Sequence, residues 1–396
     1  MKKIAIVSCY FQPNYGSMLQ AYATQMALDK LGYENETIDI SGLNGEIKKA
    51  KIKYFAKASL SSGILLTKIG RVKDTVIRKL SKSEYTAKTQ IRNAKFKAFS
   101  NKYFRLSPKY ESKAELGQKC LNNYDAVLVG SDQLWLPSNI AADYYTLNFV
   151  PKSINTVAYA TSFGQADLSN DTTKKAKNFL KKIRHISVRE ESGQKLIKKI
   201  SDRNVPVVCD PTLLFTAEDW ISIQQQEPII KGKYIFCYFL GSNNTHRKFV
   251  RRLKQETEHQ VVILPHIDEF VKEDEACSDI QLYDVGPAEF LNLIRNASYV
   301  CTDSFHCSVF SILYNKAFFT LRRFTSKNKL STNSRLDTLF NITGIRNRLI
   351  NGDEDIRKLL ADEIDFDNAH SNLEIIRRKS YEYIKNAIED KRRTDL

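Results

Sequence analysis

Short apolar runs recur along this chain, each closed by a polar or turn-rich break and most followed by a stretch of helical period. In the first half they are Lys3–Phe11, Thr37–Ile40, Tyr124–Gly130, Thr156–Ser162, Ile186–Arg189 and Val205–Cys209. In the second half they are Tyr234–Leu240, Gln260–Leu264, Ser298–Cys301 and Ala317–Leu321. Near-continuous apolar strands separated by helices predict parallel sheets with both faces covered. Helix signals fit between them: Gly32 stops a helix that runs through Leu31, and Pro287 opens one that runs to Asn296. The stretch Phe215–Lys233 is irregular and reads as a connection between two such units. A charged helix from Asn372 to Arg393 carries Ile375, Ile376, Tyr381, Ile384 and Ile388 on its apolar positions. At 396 residues the chain is too long for one core. The expected organisation is a first Rossmann-like domain over 1–228, a second over 229–371, and a terminal helix over 372–396.

One stretch concentrates the chemistry. Ser298 to Cys301 reads as a buried strand, and Asp303 and Ser304 break it. Phe305, Val309, Ile312 and Leu313 then recur at helical spacing, which puts His306 in the first turn. Ligands of open α/β sheets bind beyond the carboxyl ends of strands. A helix N-terminus there offers free N–H groups to an anion, and an imidazole beside it is placed for acid–base work. The bland alternative for His306 is a packed or capping imidazole.

Other strand exits add candidates. Gln12 to Ser17 is a turn-rich loop whose Asn14, Tyr15, Gly16 and Ser17 can face a ligand or simply make a tight turn. There is no Gly-x-Gly-x-x-Gly, so a dinucleotide is not indicated. Ser131, Asp132 and Gln133 follow the Tyr124–Gly130 run, and Phe163 follows Ser162. Arg189 at its strand exit suits forked binding of carboxylate or phosphate, against an ion pair with Glu190 or Glu191. Asp210-Pro211-Thr212 closes the last run of the first half.

Composition excludes several classes. The apolar share of 42% and charged share of 27% belong to a globular chain, and no apolar run is long enough to span a bilayer. The opening Met-Lys-Lys-Ile-Ala-Ile reads as a first strand, not as a cleaved leader. Seven cysteines without a Cys-x-x-Cys pair fit a reducing cytosol. The net charge of +16 is concentrated between Lys48 and Arg105, which forms a basic helical insertion at about 44–105. Within it Leu65, Ile69, Val72, Val76 and Leu80 line one face. That face either packs on the protein or lies on an anionic bilayer. The excess of bases points to an anionic membrane surface.

The chain resembles the polysaccharide pyruvyl transferase family. The resemblance rests on Asn14 through Ala23, Asp125 through Trp135, Tyr159 through Gly164, Ser187-Val188-Arg189-Glu190, Asp210 through Leu214, Thr302-Asp303-Ser304-Phe305-His306 and Asn333 through Leu339, in order along the chain. It implies a GT-B-like α/β fold, two Rossmann-like domains facing across a cleft. It also implies transfer of the enolpyruvyl carbons of phosphoenolpyruvate onto two sugar hydroxyls, with phosphate leaving. No cofactor is called for. The acceptor implied is an isoprenoid-diphosphate-linked oligosaccharide at the inner face of the cytoplasmic membrane. His306 takes the place of the family's catalytic His, but the Arg that often precedes it by two positions is Ser304 here. Arg322, Arg323 or Arg335 can supply the missing cation.

The chemistry asks for the same groups. Phosphoenolpyruvate is a small trianion that needs several cations and N–H donors. A protonated His306 can deliver a proton to the methylene carbon, and Asp303 or Asp132 can accept one from a hydroxyl. Two other classes remain open: a GT-B glycosyltransferase using a nucleotide sugar, and a non-catalytic basic protein on RNA or lipid. No RNA-recognition motif is present, so nucleic acid is not expected as a partner.

Overall fold

The structure, a computed structural model, describes residues 1–61, 84–266, 271–323 and 334–390. Two all-parallel sheets organise them. The first comprises β1 (Lys3–Val7), β2 (Glu34–Thr37), β3 (Ala126–Asp132), β4 (Asn155–Thr161) and β5 (His185–Val188), in the order β2-β1-β3-β4-β5. The second comprises β6 (Tyr234–Tyr238), β7 (Gln260–Ile263), β8 (Ile280–Gln281), β9 (Tyr299–Thr302), β10 (Ala317–Leu321) and β11 (Leu349–Ile350), in the order β11-β10-β9-β6-β7-β8. Central strands are covered on both faces: every residue of β4 and of β6 is buried. Helical crossovers provide that cover, which is why these strands are apolar throughout. All seven cysteines are buried and free.

Two expected strands differ. The second strand is Glu34–Thr37 and not Thr37–Ile40, because pairing with β1 ends at Ile6↔Thr37. Val205–Cys209 makes only an isolated bridge between Val188 and Val207. Pro206 sits inside that run and has no N–H to give a ladder.

The basic segment contains elements that tie the halves together. A helix at Glu84–Tyr103 carries Arg92, which is buried and donates to the carbonyls of Pro265 (2.7 Å), Leu282 (2.6 Å) and Tyr283 (3.4 Å) in the second half. Lys95 on the same helix pairs with Asp284 and Glu289. Part of the basic excess thus holds the two halves together. The Leu65–Leu80 face lies outside the described residues. The terminal helix is Phe366–Glu389, and it returns to the first half. There Ser380 accepts from the Cys209 N–H (3.0 Å), the Ala387 carbonyl accepts from Asn155, and Tyr383 donates to the Ala158 carbonyl.

Candidate active site

The site forms where the carboxyl ends of the two sheets face each other. β9 ends at Thr302, and the chain turns through Asp303 into the Phe305–Leu313 helix. Ser304 is the cap of that helix, its hydroxyl accepting from the Cys307 N–H. The Arg-for-Ser difference therefore falls on a residue that the helix end uses. His306 in the first turn is 6% exposed. Its Nε2 lies 3.5 Å from Asp210 Oδ2, across the cleft in the first half.

Arg189 at the end of β5 is the hub. Its Nη1 donates to Asp210 Oδ2 at 2.6 Å and its Nη2 to Asp132 Oδ1 at 2.9 Å. Its Nε faces Glu190 Oε2 at 3.7 Å, and its guanidinium lies 4.9 Å from the centre of the Phe305 ring. The alternative reading, an ion pair with Glu190 or Glu191, holds only in this last and weakest contact; two aspartates take the fork. Arg335 comes from the Ser334–Thr343 helix of the second half. It lies 4.0 Å from Asp132 and 5.8 Å from the same Phe305 ring. Phe305 thus carries a guanidinium from each half.

The carboxylates respond to these neighbours. Burial alone raises a carboxyl's pKa. At Asp132 the effect is outweighed by Arg189, His306, Arg335 and the Ser17 hydroxyl, and its pKa lies below the ordinary range. Burial is likewise overcome at Asp210, chiefly by His306 and Arg189. Asp210 Oδ1 is further held by the Thr212 N–H (3.0 Å) and hydroxyl (2.8 Å). Glu190 goes the other way: burial dominates over Arg189, and its carboxyl is raised. Burial and the like charge of Arg189 lower Arg335, to about 9. Four buried polar atoms here, Arg189 Nε, Glu190 Oε2, His306 Nε2 and Arg335 Nε, have no hydrogen-bond partner among the described residues. Such atoms grouped in one place mark a site that a ligand completes.

The other sequence candidates divide. Asn14 caps the Tyr15–Lys30 helix, its side chain accepting from the Ser17 N–H. Gly16 packs directly under His306, and Ser17 donates to Asp132 Oδ2 at 2.6 Å. Ser131 donates to the Ala160 carbonyl and lies 3.4 Å from Asp210. Gln133 lies beside Gly164, and its Nε2 is buried without a partner. Tyr15 is used elsewhere: it stacks on Phe290 at 4.4 Å and donates to the Val285 carbonyl, a contact between the halves. Phe163 is wholly buried against Trp135 and serves the core. Asp303 is saturated by the Leu240 and Gly241 N–H groups and by Arg323, so its carboxylate orients the turn. Arg323 is thereby engaged at the site's edge, and Arg322 pairs with Asp337. The sequence reading did not single out Asp210 or Glu190 as site residues. Asp210 has a signal, a carboxylate that closes an apolar run and is fixed by the following proline.

The sequence profile of the polysaccharide pyruvyl transferase family matches residues 14–323. The chain belongs to that family. As a polysaccharide pyruvyl transferase it is a transferase, and the matched span begins at Asn14 and includes Asp132, Arg189, Asp210 and His306. A comparison with curated proteins finds no match. Among solved structures the chain is similar to UDP-N-acetylglucosamine 2-epimerase from Rickettsia bellii, with a TM-score of 0.51 and 10% identity over 98% of this chain and 97% of that one. It is also similar to the UDP-GlcNAc 2-epimerase from Methanocaldococcus jannaschii, with a TM-score of 0.50 and 14% identity over 96% and 100%. At such identities the likeness is one of fold: two Rossmann-like domains of the GT-B kind.

Proposed function

We propose that this transferase moves the enolpyruvyl group of phosphoenolpyruvate onto two hydroxyls of a sugar in a surface polysaccharide precursor. The observation that carries the reading is the meeting of His306 with two guanidiniums, Arg189 and Arg335, around Phe305. Buried N–H groups on both arginines lack partners, and a donor with carboxylate and phosphate groups supplies acceptors for them.

His306, protonated, gives its proton to the methylene carbon, and the central carbon becomes electrophilic. A sugar hydroxyl attacks that carbon, and the bond to the phosphate oxygen breaks. The second hydroxyl closes the ring to a pyruvate ketal. Of the two hydroxyl protons one restores His306 and the other leaves on phosphate. Asp210 pairs with the imidazolium, Arg189 and Arg335 hold the anion, and Asp132 with Ser17 borders the acceptor side. No cofactor enters this scheme.

The acceptor is proposed to be an isoprenoid-diphosphate-linked oligosaccharide, with the enzyme in the cytoplasm and peripheral on the inner membrane face. Lys48, Lys49 and Lys53 are exposed on the Asn44–Ser61 helix, with Ile52 among them, which supports attraction to an anionic surface. No helix among the described residues is long and apolar enough to cross a membrane.

The test is incubation with phosphoenolpyruvate and candidate lipid-linked oligosaccharides. The expected result is phosphate release together with a pyruvate mass increment on the acceptor. Release of a nucleoside diphosphate from a nucleotide sugar, with no reaction of phosphoenolpyruvate, overturns the reading.

A further inference from the structure

Arg189 is enclosed by three carboxylates. Asp210 and Asp132 take its two terminal nitrogens, and Glu190 faces the third. Against these stand two guanidiniums, Arg189 and Arg335, and the imidazole of His306. Three acids and two guanidiniums share one largely buried volume: the Arg189 side chain is 1% exposed, that of Asp210 0%, Glu190 2%, Arg335 11% and Asp132 17%. With the imidazole neutral the acids outnumber the cations by one, and with it protonated the two are equal, so the resting cluster holds no surplus of positive charge for a donor. A trianion placed among these groups adds negative charge where water cannot screen it. A proton taken up by the cluster would offset part of that charge.

Asp132 and Asp210 are committed as acceptors. Asp132 receives Ser17 and Arg189, and Asp210 receives Thr212 twice and Arg189. Glu190 is different. Its Oε2 is buried with no hydrogen-bond donor among the described residues, and it faces the one Arg189 nitrogen that is also unpartnered. Burial and Asp132 at the end of β3 disfavour the charge on Glu190, while Arg189 on its own segment, the Ser162 hydroxyl beyond β4 and Arg335 from the second half favour it, and burial is the largest of these effects. Protonating Glu190 removes one carboxylate from the guanidinium's side and leaves Arg189 Nε to the incoming anion.

We infer that Glu190 is a positioning residue of the donor site that takes up a proton as the donor binds, releasing Arg189 to hold it. The carboxyl of Glu190 is raised by burial, the direction this role requires. The inference deepens the donor reading above and rests on it.

Calorimetric titration of the whole chain with phosphoenolpyruvate, in buffers of different ionisation enthalpy, counts the protons taken up. Wild type is expected to take up protons near neutral pH, with affinity falling by up to about tenfold per pH unit for one linked proton. Glu190→Gln keeps the shape and a hydrogen-bonding group, and is expected to lower the uptake and flatten the pH profile. Glu190→Asp retains a titratable carboxyl and is expected to restore the slope. The donor's own ionisation is common to all three proteins and cancels in their difference. Binding by wild type without proton uptake overturns the proposal and leaves the donor reading standing. Unchanged stoichiometry in a folded Glu190→Gln does the same. Absence of any phosphoenolpyruvate binding by wild type overturns the donor reading itself, and the proposal with it.

Discussion

Gly16 lies against the imidazole of His306, so closely that a Cβ on residue 16 would stand 2.0 Å from Nδ1. The glycine belongs to the first half and the histidine to the second. Its backbone is ordinary helix, so the constraint is space and not conformation. Gly16→Ala is expected to displace the ring and lower turnover by about 10²-fold, the scale of an ångström's misplacement at a reacting centre. Steady-state kinetics with thermal unfolding as a control checks this. Full activity in Gly16→Ala shows that the ring moves freely and that the contact does not set its catalytic position.

His306→Ala is expected to lower turnover by about 10²–10⁴-fold, the usual contribution of a positioned proton donor. Donor binding measured by calorimetry should survive in part, since both arginines remain. Near-normal turnover in a folded variant removes His306 from the acid's role.

Arg189→Lys keeps the charge and loses the fork. One ammonium cannot serve Asp132 and Asp210 at their present separation from the guanidinium and still offer an N–H to the donor. The expected outcome is a rise of about tenfold or more in KM for phosphoenolpyruvate, with a smaller loss in kcat, on the scale of about 1.4 kcal/mol per factor of ten. An unchanged KM assigns Arg189 to structure alone.

The depressed carboxyls of Asp132 and Asp210 bear on stability. Each ordinarily titrates near 3.8, and folding lowers the value. Their favourable contribution is therefore complete above that range and is lost as pH falls through the lower folded values. Asp210→Asn is expected to cost about 3–5 kcal/mol at neutral pH, because it leaves a buried guanidinium short of a partner. The gap to wild type should narrow below about pH 4, as the unfolded chain's carboxyls protonate. Urea unfolding at both pH values reads it, and a gap independent of pH contradicts the charge argument.

The membrane reading predicts that reversing Lys48, Lys49, Lys53, Lys68, Arg71, Lys79 and Lys82 to Glu releases the protein from anionic vesicles. Each base near such a surface contributes about 1 kcal/mol, so the set is more than sufficient. Activity on a lipid-linked acceptor should fall while activity on a soluble sugar analogue persists. Vesicle binding that survives the reversal, or a parallel loss of both activities, contradicts it.

Much of this architecture was legible along the chain. Strand and helix periods reveal the two α/β units, since strands buried on both faces must be apolar throughout. His306 at a strand exit, in a first helical turn, is a local pattern and was readable as such. Partnership was not. Nothing local says that Arg189 takes Asp210 and Asp132 and faces Glu190 only at 3.7 Å, or that Asp303 is spent on Leu240, Gly241 and Arg323. Apart from the neighbouring Glu190, those pairings span tens of residues, and each depends on which strand ends of one sheet are brought side by side. Tyr15 misled for the same reason: its neighbours in sequence suggest a loop ligand, while its ring completes the stack on Phe290.

The chain passes between the halves twice, once between Ile221 and Tyr234 and once where the Phe366–Glu389 helix returns to the first sheet. A body tied to another at one point swivels freely. Tied at two, it keeps a single easy rotation, about the line through the ties. Arg92, Lys95 and Tyr15 tie the halves a second way, so parting them means breaking those contacts while the second half swings as one leaf. His306, Phe305 and Arg335 share that leaf, while Gly16, Asp132, Arg189 and Asp210 stay on the frame. Acid and second guanidinium are therefore carried by the same half, and closing that half on the first brings both to the donor site at once.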